Sequence, residues 1–203
     1  MSDKLYNKLL TYNFRKLFES KKYAYFTKGN YNLNIIGIRT NIKKKITNAY
    51  DDYLVVIYNT EKGWTRQIYN ITTKPGLYYM KSPVNNNGTA ILVPMQYRST
   101  WVIGKHKGKY EALCQKKPVF VFRDANRDSA YDIKPETIDN GIFGINIHRS
   151  NETWTRNTVD KYSAGCQVFN DPKQFNSFMR LCKEQAKRYG NSFTYTLLDE
   201  SEL

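Results

Sequence analysis

The chain has 203 residues, of which 40% are hydrophobic and 15% aromatic. This composition excludes an intrinsically disordered protein, because such chains lack the apolar area that offsets the entropy of ordering. The length fits one domain, or one domain with a short appendage. Lys and Arg outnumber Asp and Glu by 32 to 18, a net charge of +14, which attracts polyanions such as nucleic acid, anionic lipid or the anionic polymers of a bacterial envelope.

The N-terminal segment, residues 1–30, is predicted to be a helical appendage. Apolar side chains recur near helical spacing over residues 3–18, and Ser2 precedes them as an N-cap. Charged residues are scattered through this segment, so it lacks the apolar core of a secretory signal. No apolar run reaches the roughly 20 residues that cross a bilayer. We therefore expect synthesis in the cytoplasm without a signal peptide, and no membrane span.

A catalytic domain is predicted over residues 31–203, and its first two thirds have the pattern of a β protein. Short runs of β-branched and aromatic residues are separated by turn chemistry such as Glu61-Lys62-Gly63 and Asn85-Asn86-Asn87-Gly88. Their number and spacing predict a β-sandwich or barrel, not alternating βαβ units. The predicted strands cover residues 34–38, 53–58, 67–71, 90–93 and 118–122.

Two more strands are predicted in the last third of the chain. Residues 141–148 read as one strand in which Ile145 and Ile147 point one way and Asn146 and His148 the other. Residues 192–198 form the final strand.

The clearest helix lies between these strands, at residues 171–189. Asp171 is its N-cap, Pro172 occupies the first helical position, Gln174 completes a capping box and Gly190 ends the helix. The fold class is therefore mainly β, with an N-terminal helix and one helix late in the chain, and α+β overall.

The three cysteines differ in their surroundings and form no Cys-x-x-Cys pair, which disfavours a disulfide framework or a zinc ribbon. Cys182 lies on the apolar stripe of the predicted helix, where a free cysteine behaves as a small hydrophobe, and Cys114 is also expected to be packed. Cys166 follows small residues at 163–165, which keep its thiol accessible. Gly165 allows a tight turn whose backbone amides point at an oxyanion. Cys166 is the candidate nucleophile.

Only two histidines are available as the general base that such a nucleophile needs. His106 lies in a basic run, residues 105–109, which is predicted to be a solvated turn. His148 lies on the more polar face of its strand, beside Asn146. We therefore predict that His148 removes the proton of Cys166.

The spacing of these residues resembles a known family. His148, fourteen intervening residues and Ser163-Ala164-Gly165-Cys166 resemble the L,D-transpeptidase catalytic domain (YkuD type), in which a histidine precedes a Ser/Thr-x-Gly-Cys motif. The hydrophobic stretch, Asn-Asp turn, helix and last strand after Cys166 agree with that family. Residues 71–78 are similar to its threonine, proline and glycine turn before a strand. The resemblance covers about residues 50–198 and implies an L,D-transpeptidase-like fold.

The resemblance also implies a function. Cys166, His148 and Gly165 would form the catalytic centre of an enzyme that attacks peptidoglycan stem peptides and forms a thioacyl enzyme, without a cofactor. Water resolving this intermediate gives an endolysin-like murein peptidase, and an amine gives an L,D-transpeptidase crosslink. We expect water, because Ala164 and Val168 stand where the family has polar residues.

Four further residues are expected to touch substrate or to orient the histidine: Asn146, Arg149, Ser163 and Gln167. The composition suits a bacteriophage lysin that reaches the cell wall through a holin or inside a virion. In that setting the positive charge would bind anionic envelope polymers and, nonspecifically, nucleic acid.

Two alternatives of other classes stay open. A basic single-stranded nucleic-acid-binding protein would use the net charge and the 17 tyrosines for backbone contacts and base stacking, although no recognisable binding module is present. A virion structural protein that kept the fold and lost activity is the other.

One stretch of oxygen-bearing side chains resembles a calcium loop. Asp124, Asn126, Asp128 and Asp132 recur at alternate positions, but the glycine expected at the sixth position is Ser129. A solvated Asx-rich turn is favoured, and no metal is predicted.

Overall fold

The structure is a computed structural model that describes residues 3–40, 42 and 46–203. Eight strands close into a barrel, and three more form a separate sheet. Strands account for 37% of the chain and helices for 24%, which places the protein in a mainly β, α+β class with an N-terminal and a C-terminal helix. The predicted fold class is confirmed.

The elements are numbered in chain order. The helices are α1 (Asp3–Thr11), α2 (Phe14–Ser20), α3 (Leu77–Lys81) and α4 (Pro172–Tyr189). Around the barrel, the strands are β1 (Asn34–Arg39), β11 (Phe193–Asp199), β5 (Gln96–His106), β6 (Tyr110–Gln115), β9 (Ile147–Arg149), β10 (Gln167–Phe169), β3 (Gly63–Thr72) and β2 (Asp52–Thr60). The separate sheet has the order β4 (Thr89–Leu92), β7 (Val119–Asp124) and β8 (Ile138–Gly141).

Two neighbouring pairs in the barrel are parallel, β1 with β11 and β9 with β10. Parallel strands need a crossover connection, since a tight hairpin only joins antiparallel ones. Between β9 and β10 this crossover is residues 150–166, which include a short 3-10 helix at Asp160–Tyr162. The pairing sets Ile147 beside Gln167 and His148 beside Val168.

The barrel interior and the inner face of α4 share one apolar core. Trp101 is fully buried at its centre, and its indole N–H donates to the Ile145 carbonyl at 2.7 Å. Phe169 of β10 stacks on Phe178 of α4 with ring centroids 5.2 Å apart. This core therefore ties α4 to the strand that follows the candidate nucleophile.

The N-terminal segment contains two helices where the apolar spacing predicted one. The chain breaks at Asn13, whose side chain accepts a hydrogen bond from the Lys16 N–H and so caps α2. Asparagine favours this N-cap position over a helix interior, because its side chain competes with the backbone for hydrogen bonds. Ser2, the predicted N-cap of the first helix, lies outside the described residues.

The N-terminal helices cover the outer face of β1 and β2. Leu9, Phe14 and Phe18 join outward-facing residues of these strands, such as Ile36 and Val55, in a second apolar cluster. Both faces of β1 are consequently buried, which accounts for its unbroken apolar sequence. The boundary near residue 30 stays a prediction. In the described ranges, no helix is long and apolar enough to cross a membrane.

The hairpin of β5 and β6 is not among the elements predicted from the sequence. Residues 107–109 join the strands, and Lys107 and Gly108 have φ of 49° and 72°, the left-handed conformation that the central residues of a type I′ turn require. His106 is the last residue of β5 and is 7% exposed, so the prediction that it lies in a solvated turn is wrong.

Two further strand predictions are corrected by the structure. The strand predicted at residues 141–148 is divided, because Gly144 turns the chain with φ of 73° between the end of β8 and the start of β9. After the turn at residues 71–78, the chain enters the short helix α3 and not a strand.

The late helix agrees with its prediction at both ends. Asp171 caps α4 by accepting from the Lys173 N–H, and Gly190 follows its end with φ of 83°. Gln174, however, does not complete a capping box. Its side-chain oxygen accepts from the Asn70 N–H of β3 at 3.1 Å, which docks the start of α4 on the barrel.

A buried charge network fixes the loop after β3. Asp52 has no exposed surface and accepts from the Thr40 and Thr73 N–H groups at 2.8 and 2.7 Å. Lys74 lies within 3.0 Å of Asp52 and 2.8 Å of Asp51. The loop held in this way leads to Gly76, whose N–H donates to the Ser163 carbonyl at 2.9 Å. The network therefore supports the segment that carries the candidate nucleophile.

We expect Asp52→Ala to lower the free energy of unfolding by about 3–5 kcal/mol, because it leaves the buried Lys74 cation with one carboxylate fewer. Urea denaturation followed by circular dichroism measures this loss. Glu19→Ala is the control: Glu19 pairs with Arg15 on the surface, and its loss costs at most about 1 kcal/mol. Equal losses in the two variants would contradict the structural role of the network.

Candidate active site

Cys166 lies in the turn that leads into β10, on the outer side of the barrel. Its sulfur accepts from the Asn146 N–H at 3.4 Å, and the thiol donates to the Gly144 carbonyl at 3.3 Å. The side chain packs beside Tyr162 and Val168 and is half-buried. The thiol is thus held between the crossover and the segment that precedes β9.

Gly165 is required by the backbone of this turn. Its φ is 126°, and a Cβ atom there would lie 2.5 Å from the Ala90 carbonyl oxygen. Its N–H donates to Ser163 Oγ at 3.2 Å, so this amide is already paired, contrary to its predicted role as an oxyanion donor. The Cys166 N–H has no acceptor among the residues that the structure describes. It is the backbone donor available beside the thiol.

His148 lies on β9, on the same side of the barrel wall as Asn146. Its Nδ1 is 2.8 Å from the Arg149 carbonyl oxygen. Because a carbonyl oxygen only accepts hydrogen bonds, Nδ1 carries the proton and Nε2 has the free lone pair. The Tyr110 hydroxyl donates to the same carbonyl at 3.0 Å. His148 is therefore in the tautomer that a general base needs.

His106 is a site residue that the sequence reasoning missed. Its ring stacks on that of His148, with centroids 4.1 Å apart and planes at 21°. The Asn146 side-chain oxygen accepts from the Gln115 N–H at 2.8 Å, which leaves the amide nitrogen 3.0 Å from His106 Nδ1. The hairpin turn at Lys107 and Gly108 is the sequence signal that indicates a strand ending at His106.

Burial keeps these groups uncharged. It lowers the pKa of His148 to about 3, with the electrostatic effect of His106 as the second cause. Burial and next Lys107 lower the pKa of His106 to about 4. The pKa of the Cys166 thiol rises to about 11, again because of burial. A neutral thiol and a neutral imidazole thus stand together at pH 7.

The thiol and the base are neighbours without a hydrogen bond between them. Within the described part of the chain, Asn146 and Gly144 are the hydrogen-bond partners of the Cys166 side chain, and His148 is not one. The register of β9 and β10 places His148 two residues beyond Asn146 along the neighbouring strand. Proton transfer therefore requires rotation of the Cys166 side chain away from the Gly144 carbonyl.

Two of the residues predicted to touch substrate or to orient the histidine lie in the interior, where they are not exposed to a substrate. Ser163 has no exposed surface, and its hydroxyl donates to the Cys166 carbonyl at 2.8 Å. Gln167 points into the barrel, where its oxygen accepts from the Tyr195 hydroxyl at 2.8 Å. Alternation along β10 explains the second case, because Gln167 lies on the face opposite to Val168. Both side chains fix the backbone around the thiol.

The other two predicted residues lie at the site. Asn146 contacts the thiol through its N–H and His106 through its side chain. Arg149 lays its guanidinium 4.4 Å over the ring of Tyr110 and pairs with Glu152 at 3.1 Å. Arg149 thus contacts the His148 ring through its backbone carbonyl, while its guanidinium is directed to Tyr110 and Glu152.

Two cavities open next to these residues. The first, of about 370 Å³, reaches the turn of the candidate nucleophile at Ala164 and is also lined by Arg123 and Phe143. The second, of about 410 Å³, is lined by Tyr110 and Arg149 and by the cationic side chains of α4. Each has room for part of a peptide substrate.

The remaining predictions concern residues away from the site. Cys182 is fully buried in α4 and Cys114 is half-buried on β6. In the predicted Asx-rich turn, Asn126 donates to Asp128 and Asp132, whereas Asp124 is wholly buried and not solvated. No group of three or more His, Cys, Asp or Glu side chains is placed to hold a metal ion in the described ranges.

Comparison with known proteins adds no relative: no protein-family model, no curated protein and no solved structure matches this chain. The site is therefore interpreted from its own geometry.

We expect Gly165→Ala to destabilise the protein by about 1–3 kcal/mol, because an L-residue is strained at this φ and its Cβ meets the Ala90 carbonyl. Gly104→Ala is the matched control, since a Cβ on this β5 residue has its closest contact at 3.4 Å, with Cys114. Thermal unfolding compares the two. A Gly165→Ala protein as stable as the control would show that the turn is free to adjust.

Proposed function

We propose that this protein is a cysteine enzyme that processes the stem peptides of bacterial peptidoglycan through a thioacyl intermediate, and that it is related to the L,D-transpeptidases. The observation that carries the proposal is the pairing of β9 with β10. It sets three groups on one side of the barrel wall: a half-buried thiol, a backbone N–H without an acceptor among the described residues, and an imidazole whose Nδ1 carries the proton. These are the three parts that nucleophilic acyl transfer needs.

The proposed reaction begins when Nε2 of His148 takes the proton of Cys166. The sulfur attacks a peptide carbonyl carbon, and the Cys166 N–H donates to the developing oxyanion. The carbon–nitrogen bond then breaks, and the leaving amine receives the proton from His148. Because the resting thiol is neutral, attack and proton transfer are coupled, and bound substrate would displace the thiol proton from the Gly144 carbonyl.

We propose that water resolves the thioacyl enzyme. Val168 is fully buried beside Tyr50 and Val159, and Ala164 presents only a methyl group to the first cavity. Neither position offers a polar group to hold the charged end of an acceptor strand. Crosslinking by an amine is the alternative fate of the same intermediate.

The proposal also covers where the protein acts and how it reaches the cell wall. With a net charge of +14, the protein would bind the anionic polymers of the bacterial envelope. As a bacteriophage lysin it would reach the wall through a holin or inside a virion, and it would contact nucleic acid only nonspecifically.

Cys166→Ala should abolish turnover of purified peptidoglycan, and His148→Ala should lower its rate by about 10²–10⁴ through loss of the base. Mass spectrometry of the released muropeptides measures both and tells hydrolysis from crosslinking. Cys114→Ser is the control and should keep full activity. Wild-type turnover by Cys166→Ala would refute the mechanism.

The salt dependence of binding and of turnover distinguishes this proposal from a nucleic-acid-binding role. Binding to purified cell walls should weaken as salt rises, because the charges reach only about 8 Å at physiological ionic strength, whereas turnover of a soluble muropeptide should barely change. Muropeptide turnover and oligonucleotide binding are measured on one preparation at about 150 mM salt, where nonspecific DNA binding is weak. Submicromolar binding to a single-stranded oligonucleotide without any muropeptide turnover would favour the alternative.

A further inference from the structure

We propose that His106 is a positioning residue of the candidate active site, which fixes the ring plane of His148 and shields it from water. The inference rests on the proposed function for its catalytic consequence. The arrangement of the two rings stands independently of any substrate.

The position of His106 is set by the β5–β6 hairpin. His106 pairs with Tyr110 across the strands, and its ring centroid lies 5.5 Å from that of Tyr110 and 4.1 Å from that of His148. The near-parallel stack covers one face of His148, and both rings are more than nine-tenths buried. A rotation of the His148 ring would collide with this neighbour.

Asn146 connects His106 to the nucleophile. Its backbone N–H contacts Cys166 Sγ, and its side-chain nitrogen lies 3.0 Å from His106 Nδ1. Because the side-chain oxygen accepts from the Gln115 N–H, the amide nitrogen is the donor to His106. Nδ1 of His106 is then the acceptor, and the ring proton is on Nε2. One side chain thereby fixes the tautomer of His106 and lies next to the thiol.

The surroundings of the pair disfavour protonation of either ring. A buried imidazole loses the hydration that stabilises its charged form. A second cation close by lowers its pKa further, because the two positive charges repel. The titratable and charged groups nearest the pair are Lys107, Tyr110, Cys114, Arg149 with its partner Glu152, and Cys166. Lys107 lowers the pKa of both histidines. Removal of the His106 ring would admit water beside His148 and raise its pKa.

The test uses two variants that differ in the ring. His106→Ala removes the stack, and His106→Phe keeps a flat ring while it loses the acceptor for Asn146. Since the chain has only two histidines, each variant leaves His148 as the sole imidazole signal in a ¹⁵N-labelled protein. NMR titration gives the midpoint and the tautomer of that ring.

In the wild type and in His106→Phe, we expect His148 to stay in its Nδ1–H form and not to titrate between about pH 5 and 8. In His106→Ala, the midpoint should rise toward about 6.5, the value of a solvated histidine, and the Nδ1–H form should lose population. Titration of His148 near pH 6.5 in the wild type or in His106→Phe would overturn the proposal. This outcome is informative even if His106→Ala does not fold. A folded His106→Ala protein with an unchanged His148 titration also overturns it.

Activity is read separately on a soluble muropeptide. His106→Ala should lower kcat/KM by about 100-fold through misplacement of the base. The acidic limb of its kcat/KM–pH profile should also move to higher pH, because the pKa of His148 rises. His106→Phe should stay within a few-fold of the wild type. A wild type without turnover refutes the proposed function and leaves the NMR result to decide the positioning role alone.

Discussion

The parallel pairing of the three-residue strands β9 and β10 is the constraint on which the site depends. It closes the barrel between β6 and β3, and it sets the chain around Cys166 next to Asn146 and His148. A parallel pair this short gains little from its own ladder, so other contacts must stabilise it. These come from Phe169, which is buried against α4, and from the crossover, which brings Cys166 back to the strand that bears His148. The same strand pairing thus closes the barrel and brings the residues of the candidate site together.

Burial gives the site its electrostatic character. A conventional thiolate–imidazolium pair needs a solvated or charge-compensated setting, whereas here the same desolvation raises the pKa of Cys166 and lowers that of His148. The resting thiol is consequently a weak nucleophile and a poor target for oxidants. Reactivity then depends on a substrate that occupies the cavities and offers a carbonyl to the Cys166 N–H. On the proposed function, such a site reacts with a bound peptide and spares other electrophiles.

The sequence predicted elements whose signals are local and missed those that depend on distant partners. The late helix was predictable because Asp171 and Gly190 mark its ends. The β5–β6 hairpin was not, because lysines on both sides of His106 suggest solvent, although alternation along a strand sends adjacent side chains to opposite faces. Similarly, the burial of Ser163 and Gln167 follows from tertiary contacts that no local pattern encodes. Motif spacing suggested Cys166 and His148 as candidate nucleophile and base, which stays a prediction, whereas the ring stacked on His148 required the folded chain.

The nucleophile turn is held from three independent directions, which explains how a loop can carry precise geometry. The Gly76 N–H ties it to the loop fixed by the Asp52 network, the close approach of Gly165 to Ala90 ties it to the separate sheet, and the Gln167 N–H donates to the Asn146 carbonyl of the strand segment beside it. The loss of conformational entropy on ordering the turn therefore occurs during folding, and substrate binding does not have to offset it. With its backbone fixed in this way, the remaining freedom of the candidate nucleophile is rotation of one side chain. On the proposed function, that rotation decides whether the thiol proton stays in its hydrogen bond to the Gly144 carbonyl or moves from the sulfur to His148.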